Sequence, residues 1–146
     1  MAKVESSSLI QSLRNVPILY KLDEAKLQRL SEIGKELNFE SGMTIIKEFE
    51  PDRTFYLILQ GTVEVRKGNF VLSKLGAGQF FGEMAFVDDI PTERSANVVA
   101  TEQLKCLAIQ GWSWYNFLRS NPDVSIEVIR VLASRLREAN EALAAK

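Results

Sequence analysis

The chain has 146 residues, 46% of them hydrophobic, with 18 Lys and Arg against 19 Asp and Glu for a net charge of −1. That supports one globular domain with a real core, and it lacks the basic excess of a protein that grips nucleic acid by itself. With no histidine and a single cysteine, histidine-ligated metal sites, histidine acid–base chemistry, Ser-His triads and an internal disulfide framework are excluded. No residue cluster points to catalysis. The N-terminus lacks the apolar core of a signal peptide, and no apolar run approaches a membrane span, so a cytoplasmic protein without membrane insertion is expected.

Leu9, Ile10 and Leu13, then Leu27, Leu30 and Ile33, recur at helical spacing, with Pro17 interrupting two segments. Asp23 is placed to cap the second helix and Gly34 to end it. From Lys35 the pattern changes to short strands such as Thr44–Ile46 and Phe55–Leu59. Turn signals separate them at Glu40-Ser41-Gly42, Glu50-Pro51-Asp52, Lys67-Gly68-Asn69 and Gly76-Ala77-Gly78. Val63 and Val65 alternate with polar neighbours, as in a half-buried strand. Closely spaced strands without intervening helices predict an antiparallel β-roll. Further strands are expected over Arg94–Ala100 and Gln103–Gln110, the latter burying Cys106 as a structural thiol. A helix follows through Trp112–Leu118. Asn121 then caps a long final helix with Pro122 at its first position, and Val124, Val128, Leu132, Leu136, Ala139 and Leu143 form its apolar stripe.

The segment Phe81–Val98 carries the chemistry. Gly82-Glu83 opens a turn, Met84 to Val87, too short for a core helix, whose first N–H groups are free to take an anion. Ionised Glu83 only accepts hydrogen bonds, which suits sugar hydroxyls. Arg94 presents a permanently charged fork matched to phosphate oxygens, with the Ser95 hydroxyl beside it. A ligand carrying both hydroxyls and a phosphate satisfies both groups. Asp88, Asp89 and Glu93 read as a solvated loop tip on the general surface preference of carboxylates, although turned inward they would repel phosphate.

This segment resembles the phosphate-binding cassette of the cyclic-nucleotide-binding domain family, the sensor module of catabolite-type regulators, cyclic-nucleotide-dependent kinases and gated channels. Phe55–Val65 resembles the family's strand, glycine turn, strand signature, and Leu75–Glu83 its glycine-rich lead; roughly residues 20–135 fit. The interval from Glu83 to Arg94 is slightly longer than in the commonest members. The resemblance implies a mainly β, α+β fold: a jelly-roll-like antiparallel β-roll with N-terminal helices, a short cassette helix and a C-terminal helical lid. Residues 1–20 would be a helical extension and 21–146 the binding domain, with the roll over about 35–110 and the C-terminal helices over about 111–143.

Carried over, Glu83 would hold the ribose 2′-hydroxyl, and Arg94 with Ser95 the cyclic phosphate. N–H groups of Gly82, Met84 and Ala85 would complete the cradle beside Phe81. Val65 and Leu72 match the wall positions for the base, although both also suit an ordinary core. The implied function is a non-catalytic sensor of cyclic AMP, or less favourably cyclic GMP, with no catalytic cofactor. The alternative is a ligand-free member that dimerises or docks a partner. For the final helix, closing over the base and pairing as a homodimer seam both stand. The effector is open, and a helix-turn-helix finds no room after the last helix, so direct DNA contact is not expected.

Overall fold

The computed structural model describes residues 2–49, 53–82 and 96–145. Helix α1 (Ala2–Arg14) ends before a single tight turn, Pro17–Leu19, where the proline stops the helix. Helix α2 (Glu24–Ile33) starts at Asp23, whose carboxylate accepts from the Lys26 N–H at 2.9 Å. Gly34 ends α2, but not as a left-handed cap, since its φ is −103°. A Cβ there would lie 2.7 Å from Cγ of the buried Leu107, so the glycine is required by the close approach of the sheet.

Eight strands follow among the described residues: β1 (Lys35–Phe39), β2 (Thr44–Ile46), β3 (Thr54–Gln60), β4 (Val63–Lys67), β5 (Phe70–Leu75), β6 (Phe80–Phe81), β7 (Asn97–Ala100) and β8 (Leu104–Gln110). They form two antiparallel sheets, ordered β1-β8-β3-β6 and β2-β7-β4-β5. The fold is the expected α+β, mainly β roll. The turn at Gly61 joins β3 to β4 as the strand–glycine–strand signature implies. Glu50, Pro51 and Asp52 lie outside the described residues.

The first sheet is covered on both faces, and its residues sort accordingly. Phe55, Leu57, Phe80, Leu107 and Ile109 join the helical core with Leu13, Leu19, Leu30 and Trp114. Tyr56, Ile58, Phe81, Leu104 and Cys106 face the second sheet, with Val63 and Val98. This double burial explains why β3 and β8 read as near-continuous apolar runs. Burial pushes the Cys106 thiol up to about 12, as suits a structural role. Residues Ile10 to Leu19 pack into the same core as the roll.

Helix α3 (Gly111–Ser120) leads into α4 (Pro122–Ala144). Asn121 stands where a cap is expected, but its side chain does not cap α4. Its amide donates to the Phe117 carbonyl at 2.9 Å, while the backbone carbonyl of Asn121 receives the Val124 N–H at 3.0 Å. The buried amide has turned to an orphan carbonyl at the end of α3, which a solvent-facing cap would have left unpaired. The single apolar stripe expected on α4 divides. Val124 and Val128 are buried, Leu132 is half-buried, and Leu136 and Leu143 are 63% and 69% exposed.

Candidate functional site

A cavity of about 330 Å³ opens between the second sheet and α4. Ile46, Val65, Leu72, Leu75 and Val98 of the second sheet line it, with Phe81 of the first sheet at one corner. Its α4 wall is Arg135, Glu138, Ala139 and Ala142, residues on one face at steps of three or four. The volume falls at the lower end of the range for small-ligand pockets, and an apolar wall facing a few polar groups is their usual lining.

Four of the nine site residues expected from sequence meet here. Val65 from β4, Leu72 from β5, and Phe81 and Gly82 at the end of β6 all line this cavity. Leu72 is 58% exposed, so the core reading of that residue does not hold. It turns its apolar surface to the cavity from an edge strand. Phe81 is buried and stacks on Tyr56 with ring centroids 4.8 Å apart, which fixes the wall at that corner. Glu83, Met84, Ala85, Arg94 and Ser95, together with the expected cassette helix, lie outside the described residues. Gly82 and Ala96, the residues flanking 83–95, both line the cavity.

The α4 wall was not found from sequence, apart from Ala139 in the apolar stripe. Arg135 is the informative member. Its Nη2 donates to the Phe80 carbonyl at 2.6 Å, and its guanidinium carbon lies 4.4 Å from the Phe80 ring centroid. A charged donor on a backbone acceptor and a cation over an aromatic face both hold α4 against β6. Phe80 in turn contacts Phe55 at 5.3 Å between centroids. Phe55 stacks on Trp114 at 4.2 Å and Trp114 on Phe117 at 5.7 Å. Phe80 and Phe81 are adjacent residues on opposite faces of one short strand. The strand therefore puts the cavity wall back to back with the aromatic column that reaches α3.

The chain matches the cyclic nucleotide-binding domain family model over residues 36–121, more than half its length. It is 36% identical over 93 residues to a cAMP-dependent protein kinase regulatory subunit of Hypocrea atroviridis, covering 64% of this chain and 20% of that protein. The chain thus spans about one fifth of that curated relative. Among solved structures, a cAMP-bound PfPKA-R superposes with TM-score 0.82 at 24% identity, covering 96% of this chain and 48% of the other, a likeness of fold. The regulatory subunit of a cAMP-independent protein kinase A from Trypanosoma brucei superposes with TM-score 0.74 at 28% identity, covering 91% of this chain and 47% of that one. Matched in sequence across most of the roll and in architecture across nearly all of the chain, this protein belongs to the cyclic nucleotide-binding domain family.

Proposed function

We propose that this chain is a non-catalytic sensor that binds a 3′,5′-cyclic nucleotide between its second sheet and α4, and signals through the position of α4. One observation carries the reading: the residues on both sides of 83–95 line a cavity whose remaining wall is a helix. In this reading Glu83 takes the ribose hydroxyl, and Arg94 and Ser95 the phosphate. The N–H groups of Gly82, Met84 and Ala85 complete the cradle. Phe81 walls it, and the base lies along Val65 and Leu72 beneath Arg135, Glu138 and Ala139. Cyclic AMP is favoured over cyclic GMP because Arg94-Ser95-Ala96 resembles bacterial cyclic-AMP receptors and because the Hypocrea relative is named for cAMP. A ligand that fits better with α4 closed shifts α4 toward that arrangement. Arg135 and the Phe80–Phe55–Trp114–Phe117 column are the contacts through which α3 and α4 would feel it.

The binding module is taken as residues 21–146, with 1–20 an extension packed on it. Its compartment is the reducing cytoplasm, in keeping with one buried thiol. Its effector is a partner or a further domain rather than DNA gripped by this near-neutral chain. A homodimer through α4 is supported by Ile126, Ile129, Ala133, Leu136, Asn140 and Leu143, which step by three and four along the helix. Ile126, Ile129, Leu136 and Leu143 are exposed, on a face that excludes every cavity-lining residue of α4.

Titration calorimetry with cyclic AMP on the wild type and Arg94→Leu tests the reading. Loss of a buried charge partner costs about 2–5 kcal/mol, so affinity should fall roughly thirty-fold or more. Equal affinities would remove Arg94 from the site. The cAMP-independent Trypanosoma neighbour favours one second reading, a member of the fold that does not answer to cyclic AMP and acts by docking. Thermal shift separates the two. Nucleotide at a hundredfold over its Kd adds about 2.7 kcal/mol, a rise of several degrees. No rise with either cyclic nucleotide supports the docking module.

A further inference from the structure

A groove of about 360 Å³ runs between α2 and α3 and shares no lining residue with the cavity beneath α4. One wall carries Lys26 and Arg29, the other Trp112 and Asn116, and among the described residues no carboxylate lines it. Tyr115 and Arg119 do not line the groove but flank it on the side of α3 that Trp112 shares, since Trp112, Tyr115 and Arg119 step by three and four. Arg119 lies 5.9 Å from the Tyr115 ring centroid.

Two features of this face are not explained by folding. Trp112 is 71% exposed, whereas Trp114 is fully buried, so α3 already supplies its indole to the core. Lys26, Arg29 and Arg119 also make no ion pair among the described residues, a state they share with other surface cations such as Lys47 and Arg137 but here beside an exposed tryptophan. Unpaired cations gathered on one face repel each other and attract negative charge. Exposed tryptophan, tyrosine and arginine are the residue types that anchor protein partners.

We infer that this face docks an acidic segment of a partner protein. An apolar side chain of that segment sits in the groove against Trp112, and its carboxylates pair with Lys26, Arg29 and Arg119. A protein segment fits better than nucleic acid. Three cations are a small electrostatic footprint, the chain is negative overall, and the groove is lined in part by Ile33 and the buried Phe117.

The test uses a short fluorescent peptide rich in glutamate with one phenylalanine, and its lysine-for-glutamate counterpart. Binding to the full chain is followed by anisotropy at low and at physiological salt. The acidic peptide should bind, weaken with salt, and lose about tenfold or more in affinity both in Lys26→Glu/Arg29→Glu and in Trp112→Ala. The lysine peptide should not bind. Circular dichroism of the variants should match wild type, and their calorimetric response to cyclic AMP should be unchanged, so this result stands apart from the nucleotide reading. No binding of the acidic peptide, equal binding by both peptides, or binding that survives the charge reversal overturns the inference. So does tighter binding of a single-stranded oligonucleotide that the same variants abolish. A wild-type dimer that Trp112→Ala separates in sedimentation would make the face a seam between copies, and would overturn it as well.

Discussion

Replacing Arg135 by alanine removes, among the described residues, two contacts that hold the far half of α4 against the roll. One is a charged hydrogen bond to the Phe80 carbonyl at 2.6 Å, the other a guanidinium over the Phe80 ring at 4.4 Å. The first is worth about 1.5–3 kcal/mol and the second about 0.5–1 kcal/mol at a partly exposed site. Against them stands the rotamer freedom regained when a long side chain is no longer fixed, about 1–2 kcal/mol. At mid-range values the net loss is about 1.5 kcal/mol, a shift of roughly tenfold between docked and undocked α4. Beyond Leu132 little of α4 is buried, so few other contacts are available to compensate. Hydrogen exchange on the amides of Leu136 to Leu143 reads the change directly, and protection there should fall while that of β3 and β8 stays constant. If only the docked form binds nucleotide well, apparent affinity falls in step with its population. Unchanged exchange over Leu136–Leu143 would refute Arg135 as the anchor.

Other expectations follow from single side chains. Gly61 has φ +97°, and a Cβ there would collide with the Gln103 backbone carbonyl. Gly61→Ala should therefore cost about 2–4 kcal/mol, seen as a lower urea midpoint at unchanged m. Trp114→Ala empties the centre of the aromatic column and should cost about 3–5 kcal/mol by the same assay. The folded Cys106 thiol is raised from 9.0 to about 12, so between those values the unfolded chain is the more deprotonated. Stability should thus fall as pH rises through that window, and Cys106→Ala should flatten the slope of the urea midpoint against pH. At pH 8 the folded chain should resist iodoacetamide that the urea-unfolded chain takes up readily.

Much of this architecture is legible in the residues. The double apolar character of Phe55–Ile58 and Leu104–Ile109 reports a sheet covered on both faces, and Asp23 reads as the cap it is. Gly34 reads correctly as a boundary for a different reason, because the obstacle is Leu107, distant in sequence. The stripe on α4 conflates three environments. Steps of three and four say which residues share a side of a helix, and nothing about whether core, cavity or solvent lies opposite. Val124 is core, Ala139 is cavity wall and Leu143 is exposed, all within one periodicity. Arg135 carries no local signal, since arginine is ordinary on a helix and its partner is a backbone carbonyl 55 residues away. Asn121 has the composition of a cap, but burial decided its hydrogen bond.

The most direct measurement is a crystal structure of the chain grown with cyclic AMP. In the sensor reading the nucleotide lies beneath α4, its phosphate on Arg94 and Ser95, its ribose hydroxyl on Glu83, and its base along Val65 and Leu72. Nucleotide bound elsewhere, or this cavity filled by the chain's own side chains at saturating ligand, would contradict it.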